Sequence, residues 1–189
     1  QVDSFSDEQL AALRKIYEGH KVASQGKLFA IRKNEKKPED YLDYGLSHPG
    51  NPLKGEALFS NPTGLACIKC HRVRTRGGDI GPDLSQIGSQ FDRKGLAESI
   101  LWPSRIVREG YQQLLVELKD GESVAGLIKA ESADSITLRD IDGKNRTVPK
   151  SEIQERNNSA LSMMPEGLQT LLTLEEFADL LAYLEQLKK

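Results

Sequence analysis

The sequence predicts a mainly α domain with a small antiparallel β unit inserted into it, and three features predict that class. Late in the chain Leu174, Phe177, Ala178, Leu181 and Leu184 recur at helical spacing, and Leu180, Tyr183 and Leu187 widen the stripe beyond what a surface helix needs. Between residues 111 and 153 the apolar period drops to two, punctuated by Asp120-Gly121 and Asp142-Gly143, the dipeptides that suit tight hairpins. Cap residues at Asn51 and Asp92 open two further helices ahead of that block. Composition sets the outer limits. The 189 residues are 38% hydrophobic, enough for a buried core and too much for a disordered chain. Lys plus Arg number 26 against 28 Asp plus Glu, a net charge of -2, which leaves no global basic field for nucleic acid or anionic lipid. No apolar run is long enough to cross a membrane, so no membrane span is expected in this chain.

The elements follow in order. Ser6 with Gln9 three residues on, flanked by Phe5 and Leu10 as a hydrophobic staple, starts a helix whose face carries Leu10, Leu13 and Tyr17. Residues 32–37 and Pro38 read as a solvated turn or linker. Asn51-Pro52 begins a helix through Phe59, with Pro at the first helical position. Gly55 inside it costs about 1 kcal/mol relative to Ala, which calls for a compensating close backbone approach by another helix. Residues 77–84 hold too much Gly for helix or strand. Asp92, with Phe91 and Leu96 as its staple, opens a short helix that stops at Trp102-Pro103. Leu114, Val116 and Leu118, then residues 124–129, then Ile136, Leu138 and Ile141, then residues 146–148, give four or five short strands forming a compact barrel or curled sheet. Thr173 with Glu176 is a capping box for the last helix.

The two cysteines lie in Cys67-Ile68-Lys69-Cys70-His71, a CxxCH. Three chemistries use such a segment. Two thiols three apart can add across the vinyl groups of a haem while the adjacent His binds its iron. A thioredoxin-like redox pair would follow a buried strand, but residues 61–66 carry turn chemistry. Structural zinc needs four ligands, and beyond this segment only His20 and His48 add to Cys and His, with no second closely spaced pair.

In order, these residues resemble a c-type cytochrome domain: Gly55 and Phe59 ahead of CxxCH, Gly81-Pro82-Asp83-Leu84 after it, a late Met-Pro loop and a Leu- and Tyr-rich final helix. They resemble more closely the haem-binding domain found near the C-terminal ends of large secreted planctomycete-type multidomain proteins. The matching stretches are residues 77–88, residues 91–104 with their SIL-x-PS ending, the strand block after Gly110-Tyr111, residues 162–168 and residues 177–184. The resemblance covers about residues 51–187 and leaves 1–50 outside it. It implies a class I-like cytochrome c fold whose first and last helices cross at Gly55 and Phe59. Residues 1–50 would be an N-terminal helical extension and linker, 51–109 the proximal part, 110–154 an inserted small β-barrel or curled sheet, and 155–189 the distal Met loop and C-terminal helix.

The resemblance also implies roles. One haem c would be held covalently by Cys67 and Cys70, with His71 as the proximal iron ligand, its second ring nitrogen donating to the Pro82 carbonyl, and Leu84 packed on the porphyrin. Met directly before Pro selects Met164 as the distal ligand, with Met163 as packing; a thioether there raises the potential, as suits a carrier. His48 and His20 compete for that position. Lys69, Arg72, Arg74 and Arg76 surround the attachment loop as a rim for an acidic redox partner, as propionate partners or as solvated charge; Arg105 and Trp102 are further propionate candidates. The function implied is that of an electron carrier rather than an enzyme, alone or as a module of an oxidoreductase. It would accept electrons from a donor such as a dehydrogenase, pass them to an unidentified acceptor, and occupy a periplasmic or otherwise exported location. The alternative is a haem sensor or peroxidase-like enzyme with an open or labile sixth position, although no distal His and Arg pair of peroxidase type is present. The strand block, loosely similar to a small Sm-like barrel, shows no aromatic platform or basic excess for nucleic acid and reads as a structural or partner-docking insertion.

Overall fold

The computed structural model describes residues 36–188; the helix expected from Ser6, and His20, lie outside the described residues. Helix α1 (Pro38–Ser47) begins where the sequence suggested a turn. Pro38 takes the first helical position, where its missing N–H goes unused, and the Asp40 carboxylate accepts the Lys37 N–H at 2.8 Å. Helix α2 (Pro52–Ser60) starts from Asn51, whose side chain accepts the N–H groups of Leu53 and Lys54 at 3.0 and 3.3 Å. Then come the single turn α3 (Cys67–Cys70), a miniature hairpin of β1 (Arg72–Val73) and β2 (Arg76–Gly77), the short α4 (Ile87–Gln90) and α5 (Arg93–Leu101), capped by Asp92 through the Gly95 N–H.

Helix α6 (Leu174–Gln186) is the axis of this half. Its capping box forms as the sequence indicates, Thr173 Oγ1 accepting from Glu176 N–H at 3.1 Å and Glu176 accepting from Thr173 N–H at 2.9 Å. All residues from Phe177 to Leu184 are buried, because α1, α2, α4 and α5 pack around it. Tyr41 meets Phe177 edge-on at 5.6 Å and donates its hydroxyl to the Leu172 carbonyl at 2.9 Å. At Gly55 a Cβ would overlap the Asp179 carbonyl and come within 2.8 Å of Tyr183 Cβ, so α2 crosses α6 backbone to backbone; Phe59 packs on Tyr183 one turn on, with ring centroids 5.5 Å apart. Arg93, its side chain largely buried, ties the layers by donating to Glu185 and to the carbonyls of Gly45 and His48.

The second half is a five-stranded antiparallel sheet ordered β6-β5-β4-β3-β7, made of β3 (Gln112–Leu118), β4 (Ser123–Glu131), β5 (Ser135–Arg139), β6 (Asn145–Pro149) and β7 (Ile153–Ser162). Leu114, Val116, Leu118, Val124, Ile136, Leu138 and Val148 form its own core, separate from the helical cluster. Glu131 at the end of β4 reaches both Arg156 on β7 and Lys150 in the 3-10 turn before it, curling the sheet.

The expectation of a mainly α, class I-like cytochrome c fold is corrected by these elements. Among the described residues 37% are helical and 26% lie in seven strands, a mixed composition. The shortfall has a physical cause. Strand β7 buries none of its ten residues, so it shows no apolar alternation; main-chain pairing with β3, not burial, holds it. Strands β1 and β2 depend on Arg74 adopting a left-handed conformation with φ 56°, which no apolar period announces. Ile141, expected in a strand, lies 55% exposed within the β5–β6 turn.

Candidate functional site

The site grows from the α3 turn. Four helical residues place Cys67 and Cys70, three apart, on one face, and the His71 N–H closes the turn on the Cys67 carbonyl at 2.9 Å. The turn starts from Ala66, held at φ 56°, a left-handed conformation uncommon for a residue with a Cβ. The glycine-rich stretch then folds back: Gly78 N–H donates to Ile68 at 2.9 Å, Gly81 N–H to Cys70 at 2.8 Å, and Leu84 N–H to Arg72 at 2.8 Å.

That return path puts the Pro82 carbonyl 2.9 Å from His71 Nδ1. A carbonyl only accepts, so Nδ1 carries the proton and Nε2 keeps its lone pair. Among the described residues Nε2 has no hydrogen-bond partner. Gly81 lies against the ring: a Cβ there would stand 2.5 Å from Cε1 and 2.7 Å from Nδ1. Burial lowers the pKa of His71, partly opposed by the Pro82 bond, and so favours a neutral imidazole. A neutral ring with its tautomer fixed by a carbonyl is the form that ligates iron or another transition metal.

The surroundings of both thiols favour the protonated form. Burial pushes Cys67 up to about 11 and raises Cys70 as well, with Lys69 opposing in the second case. A reactive dithiol needs a lowered pKa. Among the described residues no three of His, Cys, Asp and Glu converge so as to hold a metal ion by themselves, so the two sulfurs and the imidazole do not share one coordination point. Cys67, Ile68 and Leu84 are partly buried against the helical core, which gives the turn an apolar wall.

Met163 and Met164 are half-buried in the loop between β7 and the 3-10 turn Leu168–Leu171; the Met164 N–H is held by Ser162 Oγ at 3.1 Å. His48 is exposed, stacked on Tyr44 at 3.7 Å, and its Nδ1 is shared between Ser47 Oγ and the Tyr44 carbonyl. Of the expected rim, Lys69, Arg72, Arg74 and Arg76 are all exposed, and Arg72 pairs with Asp83 at 3.0 Å. Hydrogen bonds from Ser85, together with Arg72, hold the Asp83 carboxyl down at about 2. Arg105 sits over the Trp102 ring at 4.5 Å.

Two features escaped the sequence reading. A cleft of about 490 Å³ beside the loop is lined by Asp83, Ser85, Gln86, Gln90, Arg108, Glu109 and Tyr111. Asp79, in the loop itself, is paired to Arg139 and Lys129 of the sheet. Neither is signalled by spacing, since each joins residues far apart in sequence. No helix among the described residues is long and apolar enough to cross a membrane. Comparison with protein-family models and with curated proteins finds no match for this chain.

Proposed function

We propose that the chain carries one covalently attached haem c and transfers electrons through it, with His71 and Met164 as the residues that would hold its iron. The observation that supports this best is the His71 ring: Nδ1 is committed to the Pro82 carbonyl at 2.9 Å, which leaves Nε2 as the nitrogen with a lone pair to offer. Cys67 and Cys70 would hold the group through thioether bonds, each S–H adding across one vinyl double bond so that sulfur joins one carbon and hydrogen the other. The bound group supplies reversible one-electron chemistry at iron. His71 offers Nε2 in fixed orientation, Pro82 holds its proton, Leu84 and the helical core exclude water from one side, and Met164 supplies a soft donor from a loop. Thioether attachment belongs to an exported setting, and a dehydrogenase-type donor together with a separate acceptor completes the proposal.

The test is mass and optical spectroscopy of the chain produced in a host able to perform the ligation. The reading expects a mass increase of one haem, lost in Cys67→Ala/Cys70→Ala. It also expects a weak red-edge band from Met-to-ferric-iron charge transfer that disappears in Met164→Ala and survives in Met163→Leu. A colourless product of unmodified mass overturns the haem; a wild type lacking the band, whose reduced form readily binds carbon monoxide, overturns the carrier in favour of an open-site sensor or peroxidase-like enzyme.

A further inference from the structure

The glycine-rich loop that presents Pro82 to His71 is gripped from two sides. On one side its backbone bonds to the CxxCH turn through Gly78 and Gly81 and to Arg72 of β1 through Leu84. On the other it is held by the sheet. The Asp79 carboxylate pairs with Arg139 on β5, and Lys129 of β4 donates to the Asp79 carbonyl at 3.0 Å with its Nζ 3.8 Å from the carboxylate. Next to this pair, the Ile80 side chain faces Gly143 of the β5–β6 turn, its Cδ1 3.6 Å from where a Cβ there would stand.

The sheet is shaped for this grip. The β4–β5 register shifts between Ile128 and Ala130, which makes Lys129 the extra residue of a β-bulge. Bulges turn a side chain out of the regular alternation, and here Lys129 meets the loop. Arg139 is fixed by a second bond, Nε donating to Asn145 Oδ1 at 2.8 Å, and its side chain is only 18% exposed. A guanidinium held in place spends little rotamer freedom on its partner.

We propose that Asp79 is a positioning residue and that the strand unit acts, through Arg139 and Lys129, as a clamp setting the orientation of the His71 imidazole. The sheet gains a role in the site without contributing a ligand. Its consequence for iron rests on the haem reading above, but the clamp itself can be read without haem.

The experiment uses the full, haem-free chain labelled with ¹⁵N, and measures the His71 tautomer from its ring nitrogen shifts above the ring's own pKa, with His48 as internal reference. In wild type the Nδ1–H form dominates. In Asp79→Asn and Arg139→Gln the share of the Nε2–H form rises by about two- to fivefold, the range that loss of an ion pair provides, and Arg139→Lys, which keeps the charge but not the Nε–H that bonds Asn145, falls between wild type and Arg139→Gln. Should Asp79→Asn fail to fold, Arg139→Gln removes the same pair from the sheet side and gives the same readout. An unchanged His71 tautomer in folded Asp79→Asn, or in folded Arg139→Gln, overturns the clamp. A shifted tautomer in a chain that takes up no haem sustains the clamp and removes the haem reading; haem uptake with an immobile tautomer does the reverse.

Discussion

Replacing Gly55 with alanine probes the crossing on which the helical half is built. An exposed helix position would gain about 1 kcal/mol from this change. At Gly55 the new methyl would overlap the Asp179 carbonyl oxygen, approach its carbon to 2.7 Å and Tyr183 Cβ to 2.8 Å. The first two obstacles are backbone, so no rotamer change relieves them and the helices must separate, loosening the Phe59–Tyr183 contact. Overpacking of this kind costs about 3 kcal/mol at its upper end, which leaves a net loss near 2 kcal/mol after the propensity gain. For a chain of this length that lowers the melting temperature by about 4–8 °C. Urea unfolding followed by the fluorescence of the single Trp102, which packs on the helical core, reads the relevant half. Lys54→Ala, exposed on the same helix, is the control and stays within about 0.5 kcal/mol of wild type. Gly55→Ala at or above wild-type stability would refute the backbone-to-backbone crossing.

Two further outcomes are expected. Arg156 and Lys150 hold the Glu131 carboxyl down at about 2, so its contribution is present above the unfolded value of 4.5 and is lost as pH falls through about 2. Glu131→Gln is therefore less stable than wild type at neutral pH, and the two urea curves converge at and below about pH 2; a gap that persists in acid contradicts the ion-pair account. In the haem-free chain at pH 8, iodoacetamide labels Cys70 before Cys67, because the deeper burial that pushes Cys67 to about 11 also shields it. Mass mapping showing Cys67 modified first rules out that environment.

Much of the helical half was legible because its signals are local. Asn51, Asp92 and the Thr173/Glu176 pair cap helices as their side chains dictate, and the misplaced Gly55 foretold a close approach that occurs. The two Asp-Gly turns and the alternation from Leu114 to Val148 located four strands, and burial of alternate residues explains why. What failed lacks any local mark. Helix α1 buries few side chains, and its Pro38 fits a turn as well as a helix start. Strand β7 is polar on both faces, so the weight of the sheet was underestimated and the mainly α class was wrong. In the site, CxxCH and Gly-Pro can be read from spacing, whereas Arg139 and Asp79 are 60 residues apart and meet only once the sheet has formed.

The burial of α6 constrains how the molecule is made. Ribosomal synthesis delivers residues 174–186 after every segment that wraps them, so the earlier helices have no axis to close on until residue 187 has emerged. The strand unit is under no such delay, since its core lies wholly within residues 114–153. The sheet can therefore complete its core before the helical half, whose packing behind the CxxCH turn closes only when the final helix docks.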